Sequence, residues 1–298
     1  MKKIILGLVV SLISLFADVA RVVPYVGNIS YSDNVNESYK ESSSLLGVYA
    51  NVGNLSYLLE GSYGYIDTTY KKASQTGLET EIPNLTQHDI SLAYSSYYAN
   101  FMFKLGGHYI ATNDLILDDG VVAIVSLGGY NYVDYDKYSY GLNFYYSYYN
   151  KGRNENSDIT DASSQIGIIQ YSPYFSYFKS ISYTMSNFVS LEFNYQTTED
   201  YIQKEYYSYG ISDTFYYKSL FIELSGYLGE MRSGVKDGGM SVFNSLDLQK
   251  NGVKSKLGYY LSKDFIVDLS YAQNTYVEYA LIDEAKNEIY TASVNYRF

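Results

Sequence analysis

The sequence predicts an all-β chain: a transmembrane antiparallel up-and-down β-barrel of about fourteen strands, with roughly 12–16 compatible. Three observations carry this. Apolar and polar residues alternate with period two over segments of about ten residues, as side chains of a tilted membrane strand do. The gaps between segments alternate between tight turns and long polar loops. In many segments charges occupy one set of alternate positions, opposite an apolar set.

In chain order, "MKKIILGLVVSLISLFADVA" comes first, with two lysines, an apolar run from Ile4 and small residues near its end. That is the layout of a secretory signal peptide, and its apolar run is too short for a good spanning helix. Cleavage is expected after Ala17, making residues 1–17 the signal and 18–298 a single barrel domain. "VVPYVGNISY" opens the strand pattern at about Arg21. "LLGVYAN" turns through "VGN" into "LSYLLEGSYGYI", and a loop follows. "HDISLAYSSYY" turns at "AN" into "FMFKLGGHYIA". "VVAIVSLGGYNYV" turns at "DYDK" into "YSYGLNFYYSYY", and "NKGRNENSDITDASS" loops out.

The second half repeats the rhythm. "IIQYSPYFSYFKSIS" turns near "TMSN" into "FVSLEFNYQ". "EYYSYGISDTFYY" turns at "KS" into "LFIELSGYLG", and the longest gap, Glu230–Gly252, follows. "VKSKLGYYL" turns at "SKD" into "FIVDLSYAQ". The closing strand "NEIYTASVNYRF" places Tyr290, Ala292, Val294, Tyr296 and Phe298 on one face, and Thr291, Ser293, Asn295 and Arg297 on the other. Short turns at one end and long loops at the other suit a membrane barrel with both termini on the short-turn side. Soluble sandwiches and propellers have no reason to sort loop lengths this way.

The faces point the same way. Expected lipid-facing positions include Leu55, Tyr57 and Leu59; Ile90, Leu92 and Tyr94; Phe101, Phe103 and Leu105; and Tyr140, Leu142 and Phe144. Val189, Leu191, Phe193, Leu220, Ile222, Leu224, Phe265, Val267 and Leu269 continue them. The intervening positions carry Glu60, Asp89, Lys104, His108, Glu192, Glu223, Lys254, Lys256, Asp268 and Arg297. A charge inside an apolar strand is costly unless that side meets water or a partner, so a wet interior is the simpler reading.

Composition narrows the chemistry. The chain of 298 residues carries a formal net charge of −11, which argues against nucleic-acid binding. Cysteine is absent, excluding disulfides and thiolate chemistry, and His88 and His108 are too few for a histidine-rich metal site. Forty tyrosines suit both strands and membrane interfaces. No metal, nucleotide or phosphate motif stands out, and no cofactor is expected. Neither histidine has a serine two residues on, the same-face pairing that barrel lipases use, so no enzyme is expected.

The ending "YTASVNYRF", with Tyr290, Val294, Tyr296 and Phe298 in alternation, resembles the insertion signal of Gram-negative outer-membrane β-barrel proteins. The resemblance covers the pattern of the chain from residue 18 onward, without pointing to one family, and a barrel of about fourteen strands is similar in size to small monomeric porins and to the fatty-acid transporters. It implies export to the bacterial outer membrane, short periplasmic turns, long extracellular loops and recognition by the barrel-assembly machinery. Its surroundings would be outer-membrane lipid and lipopolysaccharide.

About fourteen strands leave a lumen that side chains do not fill, so an open or loop-gated pore is expected. It would pass small hydrophilic solutes and ions by passive diffusion, as a monomer. The ten inward residues above are its candidate lining. Five acids against four bases predict weak selectivity, tilted to cations by acidic loops such as "LILDDG" and "LIDEAKNE". Pairing of these charges across the wall is the competing reading.

The Glu230–Gly252 gap is the candidate gate, with Met240, Val242, Phe243 and Leu246 among its apolar residues. The competing reading is a hairpin extension above the membrane. Other functional readings are a channel for hydrophobic molecules or sugars, lined by aromatics such as Tyr145, Tyr227 and Tyr260, and a surface adhesin or receptor.

Overall fold

The protein's structure, a computed structural model, describes residues 19–32, 34, 38–71, 73–75, 78–80, 84–113, 117–151, 166–198, 204–242, 247–278 and 281–298. The expected signal segment 1–17, Phe243 and Leu246 lie outside the described residues.

Alternation along the chain becomes one closed sheet. Its fourteen strands are β1 (Val19–Tyr31), β2 (Lys40–Gly53), β3 (Tyr57–Tyr70), β4 (Leu85–Tyr98), β5 (Phe101–Thr112), β6 (Leu117–Val133) and β7 (Asp136–Lys151). They continue as β8 (Ile166–Ser182), β9 (Met185–Thr198), β10 (Glu205–Tyr217), β11 (Leu220–Arg232), β12 (Leu248–Tyr260), β13 (Phe265–Val277) and β14 (Glu284–Arg297). Each pairs antiparallel with its sequence neighbours, and β1 closes the ring on β14, with Arg21 opposite Arg297 and Ile29 opposite Ile289. Closure removes the unpaired edges that a spanning sheet could not expose to lipid. Two small hairpins lie outside this ring: Ala73–Gln75 with Leu78–Thr80, and Val235–Lys236 with Ser241–Val242.

Both barrel termini and all the tight turns share one end. Ala99, Asp134 and Lys218 have positive φ at three of these turns, the backbone sense that matches the twist of the strands they join. Leu55, expected on the lipid face, sits instead in the turn between β2 and β3 and is 93 % exposed. The acidic "LILDDG" segment is partly strand: β6 begins at Leu117, with a register shift before Gly120. There Asp119 accepts hydrogen bonds from Tyr109 Oη at 2.9 Å and the Thr112 amide at 3.0 Å.

Register assigns the faces. Outward stand Leu46, Leu59, Ile90, Leu92, Phe103, Leu105, Leu142, Leu191, Ile222, Leu224, Leu257 and Leu269, all exposed. Buried on the other face are Ser91, Ser126, Ser147, Gln170, Ser172, Asn194 and Gln196. An apolar exterior around a polar interior inverts a soluble protein and belongs to a barrel in the outer membrane.

Candidate functional site

Among the polar interior positions, one side of the barrel is different. On β5–β8 the inward residues include Ile110, Val122, Ile124, Ile166 and Ile168, all buried. They are buried because a chain segment packs over them. After β11 the chain turns into the lumen: Val235 and Val242 pack against Val122, Ile124 and Tyr145, and Val242 also against Ile110, Tyr149, Ile166 and Ile168. The described part of the longest gap therefore folds inward, not upward as a hairpin extension.

Polar contacts hold this loop to the wall. Gln170 Nε2 donates to the Val235 carbonyl at 2.8 Å, and the Val235 amide donates back to Gln170 Oε1 at 2.9 Å. Gln196 joins by donating to Gln170 Oε1 at 3.0 Å and accepting from the Arg232 amide at 3.0 Å. His108 Nδ1 lies 3.2 Å from the Gly239 carbonyl, and its Nε2 lies 3.2 Å from Asp89 Oδ1. Ser91 Oγ donates to Met240 Sδ at 2.9 Å. Satisfying buried backbone groups this way fixes one loop position, since each broken contact would strand a buried donor or acceptor.

The loop's turn is written in "DGG". Asp237, Gly238 and Gly239 have φ of 52°, 64° and 95°, a left-handed run that glycine adopts freely and aspartate tolerates. Gly239 is required twice over. A Cβ there would fall 2.2 Å from Ile124 Cδ1.

The ten inward candidates all share the interior face, but they divide into different environments. Glu60 and Lys104 form an ion pair of 2.9 Å with side chains only 13 % and 9 % exposed. Asp89 receives both His108 and Gln87 Nε2, the latter at 2.9 and 3.0 Å from its two oxygens. His108 is 2 % exposed beneath the loop, so it meets the loop rather than open lumen. Glu223 stands 3.9 Å from Lys254 and 3.6 Å from Lys256, looser pairs in a wetter region. Asp268 accepts from Ser293 Oγ at 2.6 Å. Arg297 lies exposed at the short-turn end.

The loop leaves the opposite side of the lumen open. Between it and the β9–β14 wall lies a cavity of about 400 Å³. Glu192, Asn194, Glu223, Tyr227, Lys254 and Asn274 line it from the wall, and Lys236, Asp237 and Ser241 line it from the loop. Sequence reasoning placed Glu192, Glu223 and Lys254 here but not Lys236 or Asp237. A signal was present: "VVAIV" at 121–125 is apolar on both faces, and a strand apolar on both sides needs a partner inside as well as lipid outside.

A second polar knot lies at the long-loop end. Ser38 Oγ donates to Glu278 Oε2 at 2.6 Å, the Tyr39 amide donates to the same oxygen at 3.1 Å, and Tyr276 Oη donates to Ser38 Oγ at 3.0 Å. Lys40 pairs with Asp247 alongside. Burial pushes the Glu278 carboxyl above its ordinary range, opposed by Lys40 and the Ser38 hydrogen bond.

No protein-family model and no curated protein sequence matches the chain. Solved structures do match, over nearly the whole length. The CymD monoaromatic hydrocarbon channel is 7 % identical, with a TM-score of 0.54 over 97 % of this chain and 90 % of that one. The Ralstonia pickettii toluene transporter TbuX is 6 % identical, with a TM-score of 0.52 over 95 % and 90 %. A Pseudomonas aeruginosa FadL homologue is 9 % identical, with a TM-score of 0.52 over 93 % and 90 %. At such identity the shared property is the fold: a fourteen-stranded barrel of the outer-membrane type.

Proposed function

We propose that the protein is an outer-membrane channel that passes small hydrophilic solutes and ions by diffusion through the space beside its inward loop, with weak preference for cations. The observation that carries this is the cavity of about 400 Å³ between the loop and the β9–β14 wall. Its lining of carboxylates, ammonium groups, hydroxyls and amides suits solutes that keep their hydrogen bonds. On the wall the five inward acids Glu60, Asp89, Glu192, Glu223 and Asp268 face the bases Lys104, Lys254, Lys256 and Arg297 and a fifth, Arg21, which stands opposite Arg297 and donates to the inward Asn295. The loop adds one of each sign in Lys236 and Asp237, so the two signs balance and the tilt toward cations rests on the chain's net charge of −11.

The test is single-channel conductance of the refolded protein in a planar bilayer under a salt gradient. Stable steps with a reversal potential slightly on the cation side are expected. Silence from a barrel that shifts its gel mobility on heating would overturn the reading.

A second reading is favoured by the fold neighbours, two of which are hydrocarbon or toluene carriers by name. Passage of apolar molecules predicts toluene uptake by cells carrying the protein, and Tyr227, Ala272 and Ile289 in the cavity lining give such a molecule apolar surface to meet.

A further inference from the structure

Tyr227, on β11, lies flat against the wall. The cause is Gly252 opposite it on β12, where a Cβ would fall 2.5 Å from the Tyr227 ring. Any side chain there would push the ring into the lumen. The phenol oxygen anchors the other end, 3.4 Å from both Gln249 Oε1 and Asn274 Oδ1. One ring face is therefore presented to the lumen, and Lys236 covers it with Nζ 3.5 Å from the ring centroid. That lies well within the roughly 6 Å reach of a cation–π contact. Asp237 and Glu192 add negative potential at the same ammonium. The open cavity continues from there, with Glu223 on its wall.

An aromatic face flanked by carboxylates is built for a cation. The cation that fills it belongs to the loop, not to the wall, and sits beside the left-handed turn at the end of a flexible four-carbon stem. We propose that the Tyr227 face with Glu192 and Asp237 is a recognition subsite for small organic cations, amines or guanidinium compounds, and that Lys236 is its built-in occupant, displaced when such a solute arrives. The role in transport rests on the channel reading; the binding does not.

Burial pushes the Lys236 ammonium down to about 8, against the pull of Asp237 and Glu192 and with a small push from Lys254. A guanidinium, less strongly hydrated than an ammonium, loses less on entering and should compete better.

The test is ligand-observed NMR on the folded full chain in detergent micelles, with n-butylammonium and n-butylguanidinium as probes and n-butanol as the neutral control. Saturable binding of both cations and none of butanol is expected. Lys236→Gln should tighten binding by about threefold or more, and Tyr227→Leu should weaken it by about as much, while Tyr227→Phe keeps it. Heat-dependent gel mobility verifies folding, and Lys236→Gln carries the test if Tyr227→Leu does not fold. Equal affinity in wild type and Lys236→Gln, or butanol binding as well as the cations, would overturn the proposal. Binding without current in bilayers leaves the subsite standing and removes the channel. Current without saturable binding does the reverse.

Discussion

Lys104 and Lys236 carry the same charge inside the same barrel and have different roles. Lys104 is locked in the wall by Glu60 at 2.9 Å, both side chains largely buried. Removing one partner leaves the other charge buried and unpaired, which costs far more than the pair itself contributes. Lys104→Met should lower unfolding free energy by on the order of 3 kcal/mol, and adding Glu60→Gln should restore much of it, as read by urea unfolding in lipid vesicles. Lys236 stands at the edge of the cavity and titrates at about 8. A lowered lysine is charged below that value and neutral above it. Raising the pH through about 8 therefore removes a positive charge from the lumen, and the reversal potential should move toward cations. In Lys236→Gln made together with Glu192→Gln, so that the facing carboxylate is also removed, this step should vanish. If it persists there, another group is responsible.

At the scale of one element, the loop is held by a turn that tolerates little change. Gly239 combines a φ of 95° with van der Waals contact against Ile124. Gly239→Val would strain the backbone and drive its side chain into β6, so the loop should leave the wall. The barrel needs no loop contact to close, because the fourteen-strand ladder is complete without it. Gly239→Val, or replacement of residues 234–241 by a glycine–serine link, should raise single-channel conductance while leaving gel mobility unchanged. An unaltered conductance would mean that the loop does not restrict flow.

Across the whole molecule, the two faces of the sheet should respond oppositely to the same substitution. Leu142 is outward and 42 % exposed, midway along β7. Leu142→Arg places a charge in lipid and should cost about 2–4 kcal/mol. Ser225, inward on β11 and lining the cavity, should accept arginine with little loss of stability but with a shift of ion preference toward anions. Comparing vesicle unfolding and reversal potential for the two variants tests the assignment of faces in one experiment. Loss of stability from the Ser225 change alone would invert that assignment.

The fold was legible because a barrel is a local code repeated. Period-two alternation in "FMFKLGG", "FIVDLSY" and "YTASVNYRF" assigns each residue to a face without knowledge of any partner. Hairpin order follows from turn length, so the faces of Glu60, Asp89, Glu223 and Asp268 could be read from the chain. What those residues meet could not. Contacts such as Gly239 with His108 or Val235 with Gln170 join segments that are neither sequential nor paired in the ladder. Alternation is silent about a loop that can pack inward or extend outward, because both outcomes present the same apolar residues. The sequence by itself determined a membrane barrel with a polar interior. Only the tertiary structure decided that a loop fills one side of that interior and leaves a cavity lined by charged residues on the other, because that choice depends on long-range packing of Val235 and Val242 against the wall.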